Sequence, residues 1–134
     1  MSQFIAQSAA LVVAVIIAVA PAVAHHAFAT EFDASKPVTV TGFVTRIQWT
    51  NPHAWIYINV PDESGRLEPW SFEMGSPTAL YNNGWTRDSL ELGEEVEVEG
   101  SLARDGSNRI NARDVLITRT GQLFGAASSE QDSQ

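Results

Sequence analysis

The densest chemistry in this chain lies at His25-His26, directly after Pro21-Ala22-Val23-Ala24 at the end of an uncharged, apolar stretch. A cut after Ala24 makes His25 the first residue. Its α-amine, its own imidazole and the imidazole of His26 then stand together as nitrogen donors. The chain has one further histidine, His53, and no cysteine. Copper(II) takes nitrogen ligands in a tetragonal arrangement and heads the divalent affinity series, so His25, His26 and His53 form a candidate copper set, with Glu31 or Asp33 as a carboxylate to complete it. Zinc through the three imidazoles is the lesser variant. The segment from His25 to Lys36 can extend about 40 Å, more than the width of a small domain, so reach does not forbid the set. The opposing reading makes the pair solvated residues behind a processing site, and His53 a strand-start residue whose ring bonds the Asn51-Pro52 turn.

Whether the α-amine exists depends on the first 24 residues. No charged side chain occurs from Phe4 to Ala24, the stretch Ala10 to Ala20 is almost wholly Ala, Val, Ile and Leu, and Ala22-x-Ala24 supplies the small residues that a signal peptidase reads. No Lys or Arg precedes the apolar core, which is unusual for a signal peptide and keeps a membrane anchor as the competing reading. An anchor needs about 20 apolar residues and favours basic flanks, whereas this stretch contains Pro21 and is followed by histidines. Residues 1–24 are therefore read as a signal peptide. A membrane partner enters only if they stay uncleaved.

What remains fits one small domain: a lead-in at 25–36, a β-barrel at 37–120 and a flexible tail at 121–134. Lys36-Pro37 opens a long run rich in β-branched residues whose apolar phase changes near Gly42, which points to a bulge or bend in a strand that serves two faces of a closed sheet. A turn at Thr50-Asn51-Pro52 leads to a second strand at 53–60. After a loop at 61–65, Trp70, Phe72 and Met74 alternate with Ser71 and Glu73 in a half-buried third strand. Ser76-Pro77 reads as an N-cap with proline at the first helical position, giving a short helix to about Asn82. Val96 and Val98 alternate with Glu95, Glu97 and Glu99 in a fourth strand, and Ile110 to Thr118 is the fifth. Five strands with one short helix between strands 3 and 4 describe a mainly β, OB-like barrel. A five-stranded sandwich would share this order.

The formal charge of −8 opposes binding to nucleic acid and to anionic lipid. Cysteine absence excludes disulfides, thiolate metal sites and a cysteine nucleophile. The serines lack a G-x-S-x-G elbow, no glycine-rich phosphate loop is present, and the Glu95, Glu97, Glu99 row reads as a solvated face, so no catalytic residue is assigned and the chain is read as a binding protein rather than an enzyme. Among the aromatics, Trp55, Tyr57 and Trp70 are candidates to hold a small ligand or a partner protein, against the plainer reading that such rings form the core.

The strings HHAFATEFD, VTVTGFVTRIQWTNPHAWIYINV and GWTRDSL, with W-x-F-E-M-G-S-P and the late DGSNRINAR, resemble the exported bacterial proteins of domain-of-unknown-function family 6152. The resemblance runs from His25 to about Phe124. It places the family's His-His start on His25 and His26 and its Asn-Pro-His on Asn51, Pro52 and His53. It implies an exported β-barrel-like domain in the periplasm of a Gram-negative bacterium, with no assigned activity.

Overall fold

The computed structural model describes residues 27–128. After a helical turn at 27–31, six strands and one helix follow: β1 (Phe32–Gln48), β2 (Trp55–Pro61), β3 (Leu67–Glu73), α1 (Pro77–Asn82), β4 (Glu95–Ala103), β5 (Arg109–Ile117) and β6 (Gln122–Gly125). Strands run in the order β3-β2-β1-β4-β5-β6 with antiparallel neighbours, and β3 also pairs with β5 in parallel. That last pairing closes the circuit β1-β2-β3-β5-β4. The mainly β, OB-like architecture expected from the element order is the one observed.

β1 makes closure possible because it serves two partners. Its first part, Phe32 to Phe43, pairs with β4, and its second, Phe43 to Gln48, pairs with β2. Gly42 lies at the hand-over, where a Cβ would fall 2.6 Å from the carbonyl oxygen of Asn59. Glycine is thus required there by close approach of the β2 backbone. The register shifts themselves fall on either side, between Asp33 and Pro37 against β4 and between Val44 and Arg46 against β2. Pro37 has no N–H to give to a ladder, which suits the end of the first irregular stretch.

Inside the barrel, Ile56, Ile58, Phe72, Val98, Ile110 and Val115 are buried, on the inward phase of their strands. α1 closes one end through Leu80. Ser76 caps it by accepting the Ala79 N–H at 3.2 Å, with Pro77 in the first turn, as its sequence requires. Trp85 is buried beside it. Its ring stacks on Phe124 at 4.5 Å, and its Nε1–H donates to the Gly125 carbonyl at 2.9 Å.

Two boundaries differ from the sequence expectation. Strand structure begins at Phe32, inside the segment read as a lead-in to Lys36, because Phe32 and Asp33 extend the β4 ladder to Ala103 and Leu102. The tail expected to be flexible from 121 supplies β6 instead, and residues 129–134 lie outside the described residues. Four residues with one apolar anchor leave little periodicity to read, yet Phe124 covers Trp85. Phe124→Ala is expected to lower the unfolding free energy by about 3 kcal/mol in urea melts, near the lower end for a buried aromatic. A loss below about 0.5 kcal/mol, the scale of ordinary surface changes, would show β6 to be dispensable.

Candidate functional site

The β2–β3 ladder continues past its last paired residues, because Ala54 N–H donates to the Gly75 carbonyl and Met74 N–H to the Ala54 carbonyl, both at 2.9 Å. The Thr50 hydroxyl also donates to the His53 carbonyl at 2.9 Å. His53 is thereby fixed at the entry of β2, two residues before Trp55, so both side chains leave on the outer face of the barrel. Trp55 lies opposite Glu73 across the ladder. On that shared face His53 Nδ1 comes within 2.5 Å of Glu73 Oε1. The ring bonds this carboxylate rather than the Asn51-Pro52 turn.

Glu73 points outward and is nonetheless only 5 % exposed, because the lead-in lies over it. Phe28 and Phe32 stack at 6.0 Å, Phe32 is buried, and the Arg109 guanidinium sits 5.7 Å above the Phe32 ring. Between this lid and the barrel is a cleft of about 190 Å³, walled by Ala27, Phe28, Glu31, Trp55, His53 and Glu73. Burial pushes the Glu73 carboxyl above its ordinary value of 4.5; His53 pulls it back down, the nearby Glu31 charge adds to the rise, and Arg109 opposes it.

With Nδ1–H donated to a carboxylate, a neutral His53 keeps the lone pair on Nε2, the arrangement by which an outer carboxylate orients a metal-ligating histidine. Nε2 has no partner among the described residues. His25 and His26 lie outside them. Among the described residues no group of three or more histidine and acidic side chains is arranged to hold a metal. The two candidate carboxylates separate cleanly: Glu31 lines the cleft, whereas Asp33 accepts the Ser35 N–H and hydroxyl at 3.0 and 2.6 Å and faces Arg104. The Ser35 hydrogen bonds hold the Asp33 carboxyl below its usual range, with Arg104 adding to the effect.

The three candidate aromatics do not share one face. Trp55 walls the cleft. Tyr57, next on the same face, gives its hydroxyl hydrogen to Gln48 at 3.0 Å and carries the Arg46 guanidinium 5.0 Å above its ring. Trp70 pairs with Ile58 and packs half-buried on the inner side. Glu73, the residue sequence reasoning missed, follows the outward phase of W-S-F-E-M and so resembles a solvated glutamate. Its signal is relational: the register sets it opposite Trp55, beneath two lead-in phenylalanines.

The family model of DUF6152, a family of unknown function, matches residues 12–111. The chain belongs to this family. The matched stretch contains all three histidines and Glu73, while β6 lies beyond it. No curated protein matches the chain. Among solved structures it is similar to a small single-stranded DNA-binding protein from Streptomyces coelicolor, at 18 % identity over 59 % of this chain and 88 % of that one, with a TM-score of 0.43. It is also similar to the N-terminal domain of PriB from Thermoanaerobacter tencongensis, at 20 % identity over 62 % and 96 %, TM-score 0.41. A ZRD-deleted mutant of TiaS in complex with agmatine matches at 20 % identity over 64 % of this chain, TM-score 0.43, and there the chain spans about a fifth of the longer protein (22 %). Among the described residues no helix is long and apolar enough to cross a membrane.

Because the folded-state value of Glu73 lies above the unfolded one, the folded chain keeps this proton over a pH range in which the unfolded chain has released it. Its contribution to stability is therefore present below the ordinary carboxylate value and is lost as pH rises through the raised one. Glu73→Gln keeps an acceptor for His53 Nδ1 but does not ionise. In urea melts E73Q is expected to gain on the unchanged chain as pH rises from about 4.5. A difference independent of pH would contradict the buried, raised carboxyl.

Proposed function

We propose that the chain is an exported, periplasmic domain that binds a metal ion, copper foremost and zinc less, through His25, His26 and His53. The observation that carries this reading is the Glu73–His53 pair: a buried carboxylate holds Nδ1, so that Nε2 is the ring nitrogen left to donate, on a histidine that lines the cleft. Ala27 lines that same cleft, and it is peptide-bonded to His26. Two nitrogen donors from the pair and a third from His53 suit copper(II), and Glu31 is the carboxylate within the cleft able to complete the set. Removal of residues 1–24 adds the α-amine of His25 to these donors, which ties the metal reading to export.

A nucleic-acid partner is left out of this proposal. The charge of −8 is set against a phosphate backbone, and the lead-in covers the outer face at Trp55 on which bases would stack. With Trp70 turned inward and Tyr57 already bonded, the alternative of a partner protein or small ligand held by Trp55, Tyr57 and Trp70 rests on Trp55 alone.

Chain purified from the periplasm is expected to take up one equivalent of copper(II), with a nitrogen-rich spin-resonance signal. His53→Ala should weaken uptake by about 100-fold, at least the upper range for loss of an outer-shell partner. One extra residue ahead of His25 should weaken it as well, by displacing the amine from the chelate. Uptake no tighter than by a scrambled peptide of residues 25–36 would end the metal reading.

A further inference from the structure

Two aromatic rings near the outer face of β2 and β3 already carry a cation of the chain's own. The Arg46 guanidinium lies 5.0 Å from the centroid of the Tyr57 ring, and that of Arg109 lies 5.7 Å from the centroid of Phe32. Phe28 and Trp55, which wall the cleft with Phe32, carry no guanidinium among the described residues. Among those residues no lysine or arginine lines the cleft either; its acidic walls are Glu31, which is exposed, and Glu73, which is buried. The electron-rich face of an aromatic ring attracts a cation within about 6 Å of its centroid, most strongly at tryptophan and where water is excluded. A space of about 190 Å³ keeps an occupant close to its walls. The lid over it is set by the chain itself. Arg104, the first residue beyond β4, donates its backbone N–H to the Glu31 carbonyl at 2.9 Å and its Nε–H to the Ala29 carbonyl at 2.6 Å. The rings thus stand in place beforehand, and a ligand bears little of the entropy of ordering them.

We propose that this cleft binds a small quaternary ammonium ion, a methylated nitrogen cation, against Phe28, Phe32 and Trp55, with Glu31 and Glu73 supplying the opposite charge. The hydrogen-bond inventory favours a quaternary head over a primary one. A primary ammonium brings three donors that each need an acceptor, and Glu73 Oε1 is already held by His53 Nδ1 at 2.5 Å. A quaternary head has no N–H to satisfy, and its methyl groups suit walls made largely of rings, the arrangement by which aromatic cages take such ions. A neutral ligand of the same shape would gain the apolar contact and forgo the attraction to the rings and carboxyls. The site is built wholly from described residues and does not rest on the metal reading. A metal ion on His53 and an ammonium ion in the same cleft would repel each other, so the two ligands would compete.

The test is ligand-observed NMR on the periplasmic protein in the presence of a metal chelator, with tetramethylammonium chloride as the probe. Its methyl protons report binding directly. Tetramethylammonium is expected to bind at least about 10-fold more tightly than tert-butanol, a neutral molecule of similar size, and more tightly than methylammonium. Trp55→Leu, which keeps an apolar wall but removes the ring, should weaken binding about 10-fold. Glu31→Gln should weaken it about 3-fold, and the Glu31 side chain is 53 % exposed, so the thermal midpoint of E31Q should stay close to that of the unchanged chain. Should W55L fail to fold, Phe28→Leu in the lead-in, outside the barrel core, serves in its place with the same expectation. No binding of tetramethylammonium, binding no tighter than that of tert-butanol, or unchanged binding by either folded variant would overturn the proposal. Tighter binding of methylammonium would overturn it too, since the carboxyls would then be reading N–H groups. None of these outcomes bears on copper uptake, which is measured separately in chelator-free protein.

Discussion

The parallel pairing of β3 with β5 is the constraint on which the rest of the molecule depends. It joins Ser71 to Arg109, Phe72 to Ile110 and Glu73 to Asn111, and without it the strands form an open sheet with its apolar face uncovered. Closure puts Phe72 and Ile110 inside together, both fully buried. The same seam brings the start of β5 next to the outer face of β3. Arg109 thus reaches both Phe32 and Glu31, and the lead-in crosses the seam at the place where Glu73 points outward.

A glutamate in that position costs free energy if ionised, because burial disfavours the charged form. His53 offsets part of that cost through its short contact with Oε1, and Arg109 offsets a further part from a distance. The His53 side chain is itself 43 % exposed, so the contact satisfies the buried carboxyl but adds little net stability beyond that. The arrangement is therefore hard to account for as a staple. It fixes the direction of the His53 imidazole and the ring nitrogen through which that side chain bonds the barrel.

The barrel was legible because each strand announced itself by alternation or β-branching, and α1 because Ser76, Pro77 and Asn83-Gly84 punctuate it. Gly42 was legible as a special position but for a neighbouring reason: the sequence pattern suggested a bulge, and the structure finds the Asn59 carbonyl pressed against it. β6 was not legible, since its one anchor, Phe124, acquires meaning only through Trp85, 39 positions earlier in the chain. The same limit hid Glu73. Alternation along β3 assigns the face a side chain takes, and it says nothing about a segment from about forty residues away lying on top of that face.

In OB-type barrels the outer face of strands 2 and 3, flanked by the loops after strands 1 and 4, is where extended ligands lie. Here that face is taken by the chain itself: the lead-in rests on Trp55 and Glu73, gripped from the β4–β5 side by Arg104 and Arg109. What is left is a cleft of about 190 Å³ with a histidine, two carboxylates and three aromatic rings around it, too small for a run of bases or sugars and large enough for an ion with its remaining ligands. By laying residues 27–32 over this face, the chain narrows it to that cleft.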